Sequence, residues 1–149
     1  MKKDYWLFID SMEREYFVRR KSVAGRFQLS SAEVDVLLFL ANNPHLDTAA
    51  DIVKMKKMQK SHVSLAVNEL ADKGLLLCEP DAGNRKRIHL KLTETSSNIV
   101  RAGQKMQMEF IEFIFAGFSD EERKLIQSFC DRIECNLYSQ ERGHKNERR

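Results

Sequence analysis

The residues best suited to recognition chemistry lie between Lys54 and Thr93. Lys57, Gln59, Lys60, Ser61, His62, Ser64, Leu65 and Asn68 crowd into a dozen positions there. With successive residues set about 100° apart on a helix from about Gln59 to Lys73, Val63, Ala66, Val67 and Leu70 share one side. That side should face a core. Ser61, Leu65, Asn68 and Asp72 fall opposite, flanked by His62, Ser64 and Glu69. Gln59, Ser61 and Ser64 can hydrogen-bond base edges or phosphates, Asn68 can pair with adenine if it reaches, and Lys57 and Lys60 can neutralise phosphates. Leu65 has two readings, contact with a thymine methyl or a partly shielded surface leucine. His62 reads as a contact or surface residue, because no partner stands at metal-ligand spacing. Glu69 and Asp72 are anionic, so only the front half of the helix suits DNA.

A second cationic group follows. Gly74 stops the helix, Leu75 to Glu79 forms a short apolar strand, and Pro80 to Asn84 is a turn by composition. Arg85, Lys86 and Arg87 come next, and Ile88, Leu90 and Leu92 then alternate with His89 and Lys91 at strand period. Cations at a hairpin tip can enter a minor groove, where the negative potential is enhanced. The alternative is a solvated turn. From Lys54 to Lys91 there are nine Lys or Arg against four Asp or Glu, +5 within a chain of net charge +3. The excess sits where a phosphate backbone would be held.

The elements that must position these groups can be read in order. Asp4 to about Arg20 is an amphipathic helix with Tyr5, Trp6, Ile9, Met12, Tyr16 and Phe17 at three- and four-residue spacings. Its aromatic face has two possible partners, the chain's own core or another chain. Ser30 or Ser31 can cap a buried helix, Ala32 to about Ala41, whose first turn carries Glu33 and Asp35 as the helix dipole favours. Asn42-Asn43-Pro44 ends it. Thr48, with Asp51 three residues on, resembles a capping box for a third helix. The chain turns between about Met55 and Gln59 without Gly or Pro. Short helix, turn, longer helix is the helix-turn-helix order, and the hairpin behind it makes a wing.

Beyond the wing, Thr95 or Ser96 opens a long helix that breaks near Gly117, and Ser119 caps a last one striped with Leu125, Ile126, Phe129, Ile133 and Leu137. One small lobe cannot cover so much apolar surface. The first and last helices are therefore expected to form a two-fold dimer interface, the alternative being a core satisfied within one chain. The expected organisation is a single, mainly α domain over 1–149. It comprises a winged helix-turn-helix lobe at about 30–93 with a two-stranded β wing, dimerisation helices at about 4–20 and 95–140, and a loose basic tail at about 141–149.

Composition narrows the function classes. Hydrophobic residues at 42% and charged residues at 32% fit a helix-rich protein with solvated faces. No run approaches the roughly 18 to 20 apolar residues of a membrane span, and the N-terminus lacks a signal pattern, so a cytoplasmic protein is expected. Cys78, Cys130 and Cys135 are odd in number and lack Cys-x-x-Cys spacing, which argues for reduced thiols over a disulfide framework or zinc site. No phosphate-binding Gly-rich loop, Gly-x-Ser-x-Gly or His-Glu-x-x-His is present, and no enzyme is expected. No cofactor or metal is called for either.

Lys60-Ser61-His62-Val63-Ser64, Asn68-Glu69-Leu70, Lys73-Gly74-Leu75-Leu76 and the wing from Asp81 to Thr93 together resemble the MarR family of bacterial regulators. The resemblance implies a homodimeric repressor of a pseudo-palindromic operator, released by a small aromatic or anionic effector. The family's wing usually carries Asp-x-Arg near its tip, where this chain has Asn84, Arg85 and Lys86. Lys86 keeps the charge without the planar fork, so the minor-groove role stays open among Arg85, Lys86 and Arg87. Two rival readings remain: a winged-helix protein-interaction module without specific DNA binding, and a redox-sensing regulator acting through Cys130 or Cys135.

Overall fold

The computed structural model describes residues 4–143, with side chains described as far as 137. Its elements are α1 (Tyr5–Arg26), α2 (Ser31–Asn42), α3 (Ala49–Lys56), α4 (Lys60–Asp72), β1 (Leu76–Pro80), β2 (Ile88–Leu92), a 3-10 turn (Glu94–Ser96), α5 (Ser97–Ile114) and α6 (Asp120–Gly143). The chain divides into two compact units, one ending at Phe110 and one beginning at Ile111. Among the described residues no helix is long and apolar enough to cross a membrane. The expected tail at 141–149 lies, from residue 144 on, outside the described residues.

The first unit is built on α2. Val36, Leu37, Phe39 and Leu40 pack with Ile52 of α3, with Val63, Ala66, Val67 and Leu70 of α4, and with Leu75, Leu76, Leu90 and Ile99. The four α4 residues assigned to the core are all buried. On its other side α2 gives Val34 and Leu38 to a smaller cluster with Ala24 and Met106. Gly103 of α5 allows that approach, since a Cβ there would lie 2.6 Å from Leu38 Cδ2. Of the two candidate serines Ser30 caps α2, in a full capping box with Glu33, and Thr48 and Asp51 make the expected one on α3. In the second unit Ser119 and Glu122 do the same for α6.

Several boundaries differ from those expected. Helix α1 runs through Gly25 to Arg26 instead of ending near Arg20, because its last turns have tertiary partners. Ala24 is buried, and Arg20 donates to Asp35 at 2.6 Å. One glycine costs a helix only about 1 kcal/mol, which such packing outweighs. Strand β1 begins at Leu76 and takes in Pro80, a residue expected in the turn. Proline is tolerated there because this strand has one neighbour, pairing antiparallel from Leu76↔Leu92 to Pro80↔Ile88. The 3-10 turn delays α5 to Ser97, with Ser96 Oγ donating to Thr93 O at 2.7 Å.

Glu33 and Asp35 do more than satisfy a helix dipole. Glu33 is only 1% exposed; it accepts from the Ser30 backbone N–H at 2.7 Å and from Lys73 Nζ at 2.5 Å. Lys73 closes α4, so this pair ties the end of α4 to the start of α2. Burial pushes the Glu33 carboxyl up, but Lys73 and the Ser30 donors outweigh it and hold the group below its usual 4.5. Stability from the pair is thus complete above about pH 4.5 and lost as pH falls through the lower folded value. Glu33→Ala should cost about 2–3 kcal/mol in urea unfolding at pH 7, and Glu33→Gln less, because it keeps the cap. The Glu33→Ala deficit should shrink in acid; a constant deficit down to pH 3 would refute the ion-pair account.

Candidate nucleic-acid interface

The turn between α3 and α4 is made by Lys57, in left-handed geometry with φ +53°. A non-glycine residue there costs about 1–2 kcal/mol, and it replaces the missing Gly or Pro. Gln59 is the N-cap of α4 and makes no side-chain capping bond, so its amide is not spent on its own helix. Lys60, Ser61, His62, Ser64, Leu65 and Asn68 follow on α4, and all six are exposed. Leu65 is 57% exposed, a large apolar group partly open to solvent among polar neighbours, which leaves both of its readings standing. Of the two rear carboxylates, Asp72 is exposed and Glu69 half-buried. The helix therefore presents cations and small polar groups at its positive end, where backbone N–H groups also favour phosphate.

The wing tip is a tight turn closed by Arg87 N–H donating to Asn84 O at 2.8 Å, which puts Arg85 and Lys86 at its corners. Asn84 Oδ1 accepts from Lys86 N at 3.1 Å, and Asp81 Oδ1 accepts from Gly83 N at 2.7 Å and Asn84 N at 3.0 Å. Asp81 N–H closes the base on Arg87 O at 2.9 Å. Asn84, an amide with no charge to pair with a neighbouring cation, works here through backbone bonds. Among the described residues, the side chains of Arg85, Lys86 and Arg87 make no hydrogen bond or ion pair, and all three are exposed. The turn is thus held by groups other than its cations.

Three residues absent from the sequence-derived site join wing to lobe. His89 Nδ1 lies 2.8 Å from Asp47 Oδ2, and its Nε2 lies 3.0 Å from Asp81 Oδ2. Leu90 N–H donates to Asp47 O at 2.7 Å. The Asp81 carboxylate, then that of Asp47, raises the His89 pKa above its ordinary 6.5 against an opposing effect of desolvation, while His89 and the two backbone donors lower that of Asp81. Nothing local in the sequence marks this bridge, since Asp47 lies 42 positions from His89. Among the described residues no group of three or more His, Cys, Asp or Glu side chains is set to hold a metal. Cys130 and Cys135 are both exposed on α6.

The two cationic groups are therefore carried by one lobe, one at the front of α4 and one at the tip of the wing. A sequence profile described as the MarR family matches residues 27–87, nearly all of that lobe. The HTH-type transcriptional regulator PecS of Dickeya dadantii (strain 3937) is 24% identical over 117 residues, covering 77% of this chain and 70% of PecS. A MarR-family transcriptional regulator from Listeria monocytogenes, solved with a 26mer DNA, superposes with a TM-score of 0.81 at 17% identity, covering 91% of this chain and 90% of that one. The S. aureus MepR–DNA complex gives 0.72 at 19% identity, over 91% and 96%. The matched lobe and a fold shared along nine-tenths of the chain agree: residues 27–87 are similar to the MarR family, and the chain has the winged-helix fold of solved proteins described as MarR-family regulators.

Proposed function

We propose that the chain is a sequence-specific binder of double-stranded DNA, acting as a homodimeric repressor at a pseudo-palindromic operator and released by a small ligand. The observation that carries this reading is the division of α4: every apolar residue but Leu65 and the half-buried Ala71 is spent on the core, while Lys60, Ser61, His62, Ser64, Leu65 and Asn68 stay exposed beside an uncommitted cationic wing tip. Structures of similar fold in the Listeria protein and MepR were solved with DNA, which supports the same use here. A dimer would set two reading helices about one DNA turn, roughly 34 Å, apart.

Uncovered apolar surface supports the dimer. In the single chain Trp6 is 77% exposed, with Tyr5, Leu7, Phe8 and Ile9 of α1 and Leu125, Phe129, Ile133 and Leu137 of α6 also exposed. An effector has a candidate seat in a cleft of about 490 Å³ lined by Asp10, Glu13, Arg14, Tyr16, Phe17, Arg20 and Lys56, three cations against two carboxylates. Arg20 lies over the Phe17 ring at 5.6 Å, and its buried Nε lacks a hydrogen-bond acceptor among the described residues. Cations beside aromatic faces suit a small aromatic anion.

Selection of bound sequences from a random duplex pool with the purified protein tests the reading, and a two-fold motif is the expected outcome. Failure to enrich any motif would favour the protein-interaction alternative. Ser61→Ala and Leu65→Ala should then change the preferred base at one position of each half-site by about 1–3 kcal/mol. Equal weakening on every sequence would show that this face of α4 does not read bases.

A further inference from the structure

The His89 bridge is unusual in its proton demand. A neutral imidazole carries one N–H, so it can donate to one carboxylate only and must turn the lone pair of its other nitrogen toward the second. Here both ring nitrogens lie at hydrogen-bond distance from carboxylates that belong to different segments, Asp47 ahead of α3 and Asp81 in the wing loop. Both contacts are favourable only for the doubly protonated ring. The other charged groups around it are already engaged or oppose it. Glu79, directly across the ladder from His89, is paired with Lys91, Asp51 is turned into the Thr48 cap, and the charge of Arg87 works against the imidazolium.

The geometry points to His89 as a positioning residue for the wing: its imidazolium ties the loop that aims Arg85 and Lys86 to the segment ahead of α3, and losing the proton unties it and weakens the grip on DNA. The inference rests on the DNA-binding reading above and adds a regulating proton to the same site. Asp81 is the link, because one of its oxygens takes His89 while the other caps Gly83 and Asn84 at the base of the tip. With the folded pKa raised, the bridge is complete below about 6.5 and lost as pH rises through the higher value. DNA affinity should fall in the same direction. A typical coupling of about tenfold requires, by reciprocity, that bound DNA raise the His89 midpoint by about one pH unit.

Two measurements test this. In the DNA-free full chain, the His89 ring nitrogens followed by NMR should titrate above 6.5, and the amides of Gly83, Asn84 and Lys86 should shift with the same midpoint. A midpoint at or below 6.5, or tip amides that ignore it, overturns the inference. On a duplex recovered by the selection above, at fixed salt, wild-type affinity should drop about tenfold between pH 6 and 9. His89→Gln should sit at the weaker level throughout. A wild-type profile surviving in that variant would assign the titration to another group, such as His62, and overturn the inference. Asp47→Ala separates positioning from charge, since it removes an anion near DNA yet should weaken binding at pH 6. Tighter binding by Asp47→Ala defeats the positioning role. If no duplex binds at any pH, the DNA reading fails, while the NMR titration still decides the bridge.

Discussion

Replacing Arg85, Lys86 and Arg87 together by alanine should weaken operator binding by about 10²–10³-fold near physiological salt. It should also reduce the slope of log affinity against log salt by about 0.9 for each phosphate that the wing no longer neutralises. The expected fold of the variant is unchanged, and that makes the experiment clean. The tip is closed by Asn84 O, Asn84 Oδ1 and Asp81 Oδ1, and β1 and β2 pair in register below it. Because none of these bonds uses the cationic side chains, truncation removes charge without removing the turn. Circular dichroism and the urea midpoint should match wild type. Weaker binding with an unchanged salt slope would mean that the wing acts through shape, and an unchanged affinity would remove it from the interface.

Single substitutions divide the same effect. Arg85 and Lys86 occupy the corners of the turn, whereas Arg87 sits at its closing position, with its carbonyl bound by Asp81 N–H. This places the first two farther out on the tip. An arginine in a narrow minor groove makes planar contacts that lysine cannot reproduce. Arg85→Lys should therefore cost more than Lys86→Arg, which adds a planar guanidinium.

Local chemistry was the legible part of this sequence. A serine cap at the start of α2, the capping box at Thr48 and the inward face of α4 follow from local spacing, and the structure forms each of them, with Ser30 taking the cap. What escaped depends on partners far along the chain. Glu33 and Asp35 look like first-turn anions, and only the fold brings Lys73 to one and Arg20 to the other. The Arg20–Asp35 pair and the burial of Ala24 carry α1 six residues past its expected end, to Arg26. Within the interface the polar front of α4 was readable because exposure follows from helical phase. The His89 bridge was not, since a histidine in an alternating strand has the same pattern whether or not two carboxylates meet it.

Substituting Ile133 and Leu137 together by aspartate should make the protein a monomer at micromolar concentration and cost most of its operator affinity. Both side chains are more than half exposed on the single chain, and the proposed two-fold interface would cover them. Burying one Ile or Leu is worth about 1.5–3 kcal/mol, and a two-fold interface counts each substitution twice. The pair should thus weaken association by about 6–12 kcal/mol before any penalty for enclosing a carboxylate. Folding of the winged-helix lobe should survive, because its core of Leu37, Ile52, Val63 and Leu70 belongs to the first unit and the substitutions to the second. A monomer with one intact lobe forfeits the second binding event, an avidity loss on the order of 10²–10⁴. Its salt slope should halve with the number of phosphates touched, where the wing variant forfeits only its own share. Sedimentation separates the outcomes: a chain still dimeric with both aspartates would place the two-fold contact elsewhere, and a monomer that binds its operator as tightly as wild type would mean that one lobe suffices.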